Sequence, residues 1–134
     1  MIPIDDPDVL AEVEAASARY ESALATGDVD ALVDAFWVDR AAVRIGDDEE
    51  LFGHAAITAW RRATAAGPVR RTVRERAATA FGHDLATVHL VTDYPDEGRT
   101  GRQTQLWLRT DAGWRVAQAH VSRPASPRRP EERP

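Results

Sequence analysis

The second half of the chain holds four long stretches rich in Val, Thr, Ala and aromatic residues, at 69–81, 85–94, 99–109 and 114–122. Only "GHD", "PDEG" and "TDAG" separate the last three from their predecessors. Each separator supplies the Gly, Asp or Pro that a tight turn needs. A parallel return would take a crossover of about a dozen residues, so these stretches predict an antiparallel meander. Long strands of this kind need at least one face covered.

The cover is written in the first half. Asp6 and Pro7 have the character of an N-cap and first helical position. Val9, Leu10, Val13, Ala16, Tyr20, Ala23 and Leu24 then follow a 3.6-residue period up to Gly27, a plausible left-handed stop. Asp28 can cap a second, shorter helix carrying Val29, Leu32, Val33 and Phe36 on one face. A third helix, about 54–66, puts Ile57, Trp60 and Thr64 on one side and ends at Gly67-Pro68. Three N-terminal helices on one face of a curved, mostly antiparallel sheet make an α+β domain over residues 1–124. The Pro- and Arg-rich residues 125–134 have too few apolar groups to offset the entropy of ordering and are expected to be disordered.

Between the second and third helices, "VRIGDDEELFG" places Arg44 between Val43 and Ile45 in a short strand, with Leu51 and Phe52 in another. An inward Arg44 needs an anion, because an unpaired buried charge costs several kcal/mol. Asp47, Asp48 or Glu49 could supply it through a tight turn. A ligand carboxylate could do so as well, because Arg offers it a bidentate fork.

Period-two alternation sorts the closing strands into faces. Gln103, Gln105 and Trp107 share one face, opposite Arg102, Thr104, Leu106 and Leu108. Trp114, Val116, Gln118 and His120 share another, opposite Arg115, Ala117, Ala119 and Val121. Neither strand is apolar on one side and charged on the other, so both faces of the sheet are expected to be covered, one by helices and one by a second copy in a homodimer. Tyr20 lies on the apolar stripe of the first helix, and its hydroxyl must meet a polar group or a cavity. Ser122, two residues after His120, is a weak nucleophile candidate.

Composition narrows the chemistry. There is no cysteine, which removes disulfides, thiolate nucleophiles and Cys-ligated metals. All seventeen basic residues are Arg, so Schiff-base chemistry is absent and Arg is the only fixed cation. The net charge of −5 includes four Arg against two Glu in the last thirteen residues, leaving −7 on the rest, a body that repels nucleic acid and anionic membranes. His54, His83, His89 and His120 show no metal-ligand spacing, and there is no phosphate loop or nucleophile elbow. The N-terminus has no basic and apolar signal regions, so a cytoplasmic protein is expected.

The pieces "YESALATGDVDAL", "VRIGDDEELFGHAAI", "AWRR", "FGHDLA", "GRQTQLWLR" and "GWRVAQAHVS" resemble the AtzH-like and HpxZ-like group of the SnoaL-like, nuclear transport factor two-like superfamily, across about residues 8–123. Leu106 and Gln118 depart from its pattern. The resemblance implies a conical fold, with a sheet wrapped around the first helix, a pocket at the open end and a dimer through sheets. It also implies a link to ureide and carboxylated urea catabolism, including oxalurate, and makes Tyr20 and Arg44 pocket residues.

On that basis the chain is expected to act, without a cofactor or metal, as a hydrolase or decarboxylase on a small anionic substrate. Tyr20, Arg44 and His120 are the catalytic candidates, and Arg44, Tyr20, Glu49, Trp60, Gln103, Gln105 and Trp107 the binding ones. Glu49 is a second candidate acid or base. Two alternatives stand beside this: a non-catalytic ligand-binding or amidase-accessory module, and an isomerase of the ketosteroid type with Asp93 or Glu49 as base.

Overall fold

The structure is a computed structural model that describes residues 1–64 and 67–124. The C-terminal tail expected to be disordered lies outside the described residues.

Helix α1 (Pro7–Thr26) starts where the Asp6 carboxylate accepts the backbone N–H groups of Asp8 and Val9 at 3.0 and 3.2 Å. It ends at Gly27, whose φ of 71° is left-handed. A side chain at that position would also meet the crossing backbone of Gly67 and Pro68 at 2.8 Å, so glycine is required twice over. Helix α2 (Val29–Asp34) is capped by Asp28. Helix α3 (His54–Ala63) ends at the C-cap Thr64, whose N–H and hydroxyl both donate to the Trp60 carbonyl, and residues 65–66 of the expected helix lie outside the described residues.

Strands β1 (Val43–Ile45), β2 (Glu50–Phe52), β3 (Thr72–Phe81), β4 (Leu85–Tyr94), β5 (Arg99–Thr110) and β6 (Gly113–Ser122) form one sheet in the order β2-β1-β6-β5-β4-β3. All neighbours are antiparallel except β1 and β6. The predicted meander is therefore present, and the α+β architecture with helices on a curved sheet is the one observed. Strand β3 begins three residues later than expected, which leaves Val69 and Arg71 in the connection that bends toward α1. The stripe of α1, namely Val9, Val13, Ala16, Tyr20, Ala23 and Leu24, is buried against the sheet's inner face with Phe36, Ile57, Val88, Trp107 and Val116. At about 25 cal/mol per Å² of apolar surface, each large side chain buried there contributes roughly 1.5–3 kcal/mol.

One assignment of faces is corrected. The β5–β6 register runs Leu106↔Gln118 and then Trp107↔Val116, so Ala117 is an extra residue in β6, a β-bulge. A one-residue insertion exchanges the faces beyond it. Trp114 and Val116 share the inward face, but past the bulge Ala119 and Val121 are the buried residues, and Gln118 and His120, expected on the face of Trp114, are exposed on the outer one.

Candidate functional site

Register explains where Arg44 points. In the parallel β1–β6 pair Arg44 stands beside Ala119, and across β1–β2 it stands beside Leu51. Residues in register project to the same face, and Ala119 is buried, so Arg44 is carried inward. Only 8% of it is exposed. Its guanidinium forms an ion pair with Glu49 and lies 4.3 Å from the centre of the Trp60 ring. Its Nε is buried without an acceptor.

Glu49 reaches Arg44 because the Gly46–Glu49 turn, closed by a 2.9 Å bond from the Gly46 N–H to the Glu49 carbonyl, folds the carboxylate over Gly46. A Cβ at residue 46 would collide with that carboxylate.

Arg44 forms one wall of a cavity of about 280 Å³ at the open end of the sheet. The volume falls just below the range of about 300–1,000 Å³ of drug-sized ligand sites, which suits a small metabolite. Helix α1 supplies Tyr20 and Leu24, the acidic turn supplies Asp47, Asp48 and Glu49, and α3 supplies Trp60, Arg61 and Thr64. The connection before β3 adds Val69 and Arg71. The ends of β4, β5 and β6 add Tyr94, Gln103, Val121 and Arg123.

The cavity thus joins Tyr20, Arg44, Glu49, Trp60 and Gln103 from the sequence-derived set. Gln105 and Trp107 are not among its lining residues. Gln105 is buried in the core, where its side-chain carbonyl accepts the Trp107 indole N–H at 2.9 Å. Trp107 instead borders a smaller recess of about 140 Å³ on the other flank of Tyr20. His120 and Ser122 border an open groove on the outer face of the sheet, as does His89. Asp93 is also outside the cavity, where Arg74 binds it at 3.1 Å and Thr100 at 3.3 Å. Glu49, the other candidate base for isomerase chemistry, is already committed to Arg44.

Arg61, Arg71, Tyr94 and Arg123 were not singled out from sequence. Arg71 donates to Glu21 through Nε at 3.2 Å and through Nη2, and its Nη1 donates to the Tyr94 hydroxyl at 3.1 Å and the Gln103 carbonyl at 3.2 Å. Burial works to lower its pKa, but the hydrogen bonds and charge of Glu21 outweigh that and hold it above the usual arginine value. Arg123 faces Asp47 at 3.9 Å and Glu97 at 3.6 Å. Arg61 donates to the Tyr20 hydroxyl at 3.1 Å and lies 4.8 Å from the centre of the Trp60 ring. Burial first, and the charge of Arg44 after it, push its pKa down despite the opposing effects of Tyr20 and Glu49. Its place on α3 was legible: Ile57 and Arg61 stand one turn apart, so Arg61 belongs to the inward stripe with Trp60.

Tyr20 is 4% exposed, and its ring meets Phe36 edge-on at 6.4 Å. Because its oxygen accepts from Arg61, its own O–H remains to donate toward the cavity. The site can therefore offer an anion several N–H donors and one phenolic proton within a partly dry enclosure, where charge-assisted bonds are stronger than in water. Among the described residues no cluster of three His, Asp or Glu could hold a metal ion, and no helix is long and apolar enough to cross a membrane.

The AtzH-like family model matches residues 2–126. A protein of unknown function of the DUF3225 family from Pectobacterium atrosepticum is 39% identical, with a TM-score of 0.87 over 92% of this chain and 98% of its own. A cystatin-like fold protein from Burkholderia xenovorans is 36% identical, with a TM-score of 0.87 over 95% of this chain and 100% of its own. An NTF2-like protein of unknown function from Pseudomonas putida, at 21% identity and a TM-score of 0.74 over 87% of each chain, shares the fold. No curated protein matches the chain.

Proposed function

The chain belongs to the AtzH-like family, and from that premise we propose that its cavity binds a small carboxylate and releases CO₂ from it, or cleaves its C–N bond, in the catabolism of ureides and carboxylated ureas. The observation that carries this reading is the enclosure of the Arg44 guanidinium and the Tyr20 hydroxyl in one small cavity.

For decarboxylation, Arg44 contributes donors to the N-carboxylate and Gln103 offers its amide to the urea. The C–N bond to the carboxyl group breaks with its electron pair remaining on nitrogen, Tyr20 delivers a proton to that nitrogen, and CO₂ departs. Tyr20 then regains a proton from water. The balance needs no oxidant, reductant or second substrate.

The test is release of CO₂ or ammonia from oxalurate, biuret and N-carboxylated ureas, with Arg44→Ala beside the wild type. Turnover by the wild type that Arg44→Ala abolishes, with the fold intact, supports the reading, and undiminished turnover by the variant overturns it. Binding without product would instead favour a ligand-holding or amidase-accessory module.

A further inference from the structure

We propose that Arg61 is the residue that supplies the counter-charge of the ligand's carboxylate, so that the site prefers an anion over its uncharged amide. This rests on the small-carboxylate reading of the cavity and goes beyond it, because that reading assigns the anion to Arg44. Four arginines line the cavity, and three have their charge answered: Arg44 by Glu49, Arg71 by Glu21, and Arg123 by Asp47 and Glu97. Among the described residues Arg61 has no carboxylate partner, and its one hydrogen-bond acceptor is the neutral Tyr20 hydroxyl. The C-terminal end of α3, which Arg61 occupies, offers only a partial negative charge, about half a unit and shared over several carbonyls.

Arg61 is half-buried, so water still shares in solvating its guanidinium, and a ligand anion that replaces this water gains a charge-assisted hydrogen bond without having to displace a competing carboxylate. Arg44 and Arg61 both stand over the Trp60 ring, at 4.3 and 4.8 Å from its centre. A ligand carboxylate in the cavity meets one guanidinium already paired with Glu49 and one with no carboxylate partner. Arg44 then contributes donors to the ligand while its charge stays balanced by Glu49, and Arg61 carries the net attraction. The same carboxylate lies beside the Tyr20 O–H, which Arg61 orients by donating to its oxygen. A neutral urea or amide gains nothing from such a cation.

Isothermal titration with oxalurate and N-carbamoylglycine, each beside its uncharged amide, tests the assignment. The wild type is expected to bind the carboxylates and to prefer them over the amides. Arg61→Gln, which can still hydrogen-bond Tyr20, is expected to weaken carboxylate binding about 10- to 100-fold and leave the amides unaffected. Arg61→Lys is expected to restore most of the loss. The melting temperature of ligand-free Arg61→Gln should match or exceed that of the wild type, since an unanswered charge has been removed, whereas a residue needed only for the fold would lower it. Carboxylate affinity unchanged in Arg61→Gln overturns the role of Arg61 and leaves the small-carboxylate reading standing. A wild type that binds none of the probes overturns that reading and the anchor with it.

Discussion

The Arg44 guanidinium stands 4.3 Å from the centre of the Trp60 ring, so β1 and α3 meet through a cation on an aromatic face. Replacing Trp60 with Leu keeps apolar volume but removes the ring's negative face. The expected effects are a stability loss of about 0.5–2 kcal/mol in urea melts and weaker carboxylate binding, as both Arg44 and Arg61 lose the surface that orients them.

Gly46 lets Glu49 fold onto Arg44. Gly46→Ala is expected to push the flexible carboxylate off the guanidinium, with little backbone disturbance, and so free Arg44 toward the cavity. Titration should show tighter carboxylate binding in this variant, together with a lower melting temperature. Weaker binding would mean that Arg44 needs Glu49 to hold its position.

Glu21 answers the charge of Arg71, whose side chain is 5% exposed. Glu21→Gln keeps the shape and removes the charge, and breaking such a buried pair is expected to cost about 3 kcal/mol. Differential scanning calorimetry would read it as a fall of roughly 6–12 °C. The pairing raises the pKa of Arg71, so its contribution is present below the arginine's unfolded value and is lost only as pH climbs through the folded one. The loss in Glu21→Gln should therefore be the same across the neutral range.

Glu12 is exposed, and hydrogen bonds from Arg109, one of 2.8 Å, hold its carboxyl below the usual carboxylate range. A depressed carboxyl pKa contributes stability above the unfolded value and loses it as pH falls through the folded one. Urea midpoints followed into acid should drop less steeply in Glu12→Gln than in the wild type.

His120 is exposed on the sheet's outer face, across β5 from His89, with Thr104 between them. His120→Ala is expected to leave ligand binding and turnover unchanged, measured by the assays that report on Arg44. A large loss would mean that the outer groove takes part in the chemistry.

The fate of His120 shows what sequence could and could not disclose. The helices, the turns and the meander were legible because capping residues, glycines and periodicity act locally. Alternation placed Gln103, Gln105 and Trp107 on one face correctly, since β5 runs unbroken. It failed beyond Ala117 because a bulge leaves no mark in the residue types around it, and every side chain after it changes sides. Arg44 was readable as a question only: whether it points inward depends on its register with Ala119, far away in the chain. Arg61 was passed over in favour of Trp60 and Thr64, although its spacing from Ile57 put it on the inward stripe. Arg71 lay in a stretch read as strand, whose parity says nothing about a connection that bends off the sheet. Gln105 and Trp107 share the inward face with Gln103 but sit deeper, and depth along a strand is set by the curvature of the sheet.

The parallel pairing of β1 with β6 has a consequence for how the molecule assembles. Three residues of β1 can join the sheet only through a strand at the far end of the described chain, and such long-range closures come late and slowly. The helical half and the β3–β4–β5 hairpins can form from contacts close in sequence, while Arg44 waits for β6. A chain emerging from the ribosome therefore gains its ligand chamber only once β6 has been made, and damage to β6 would disable the chamber while much of the scaffold still folds.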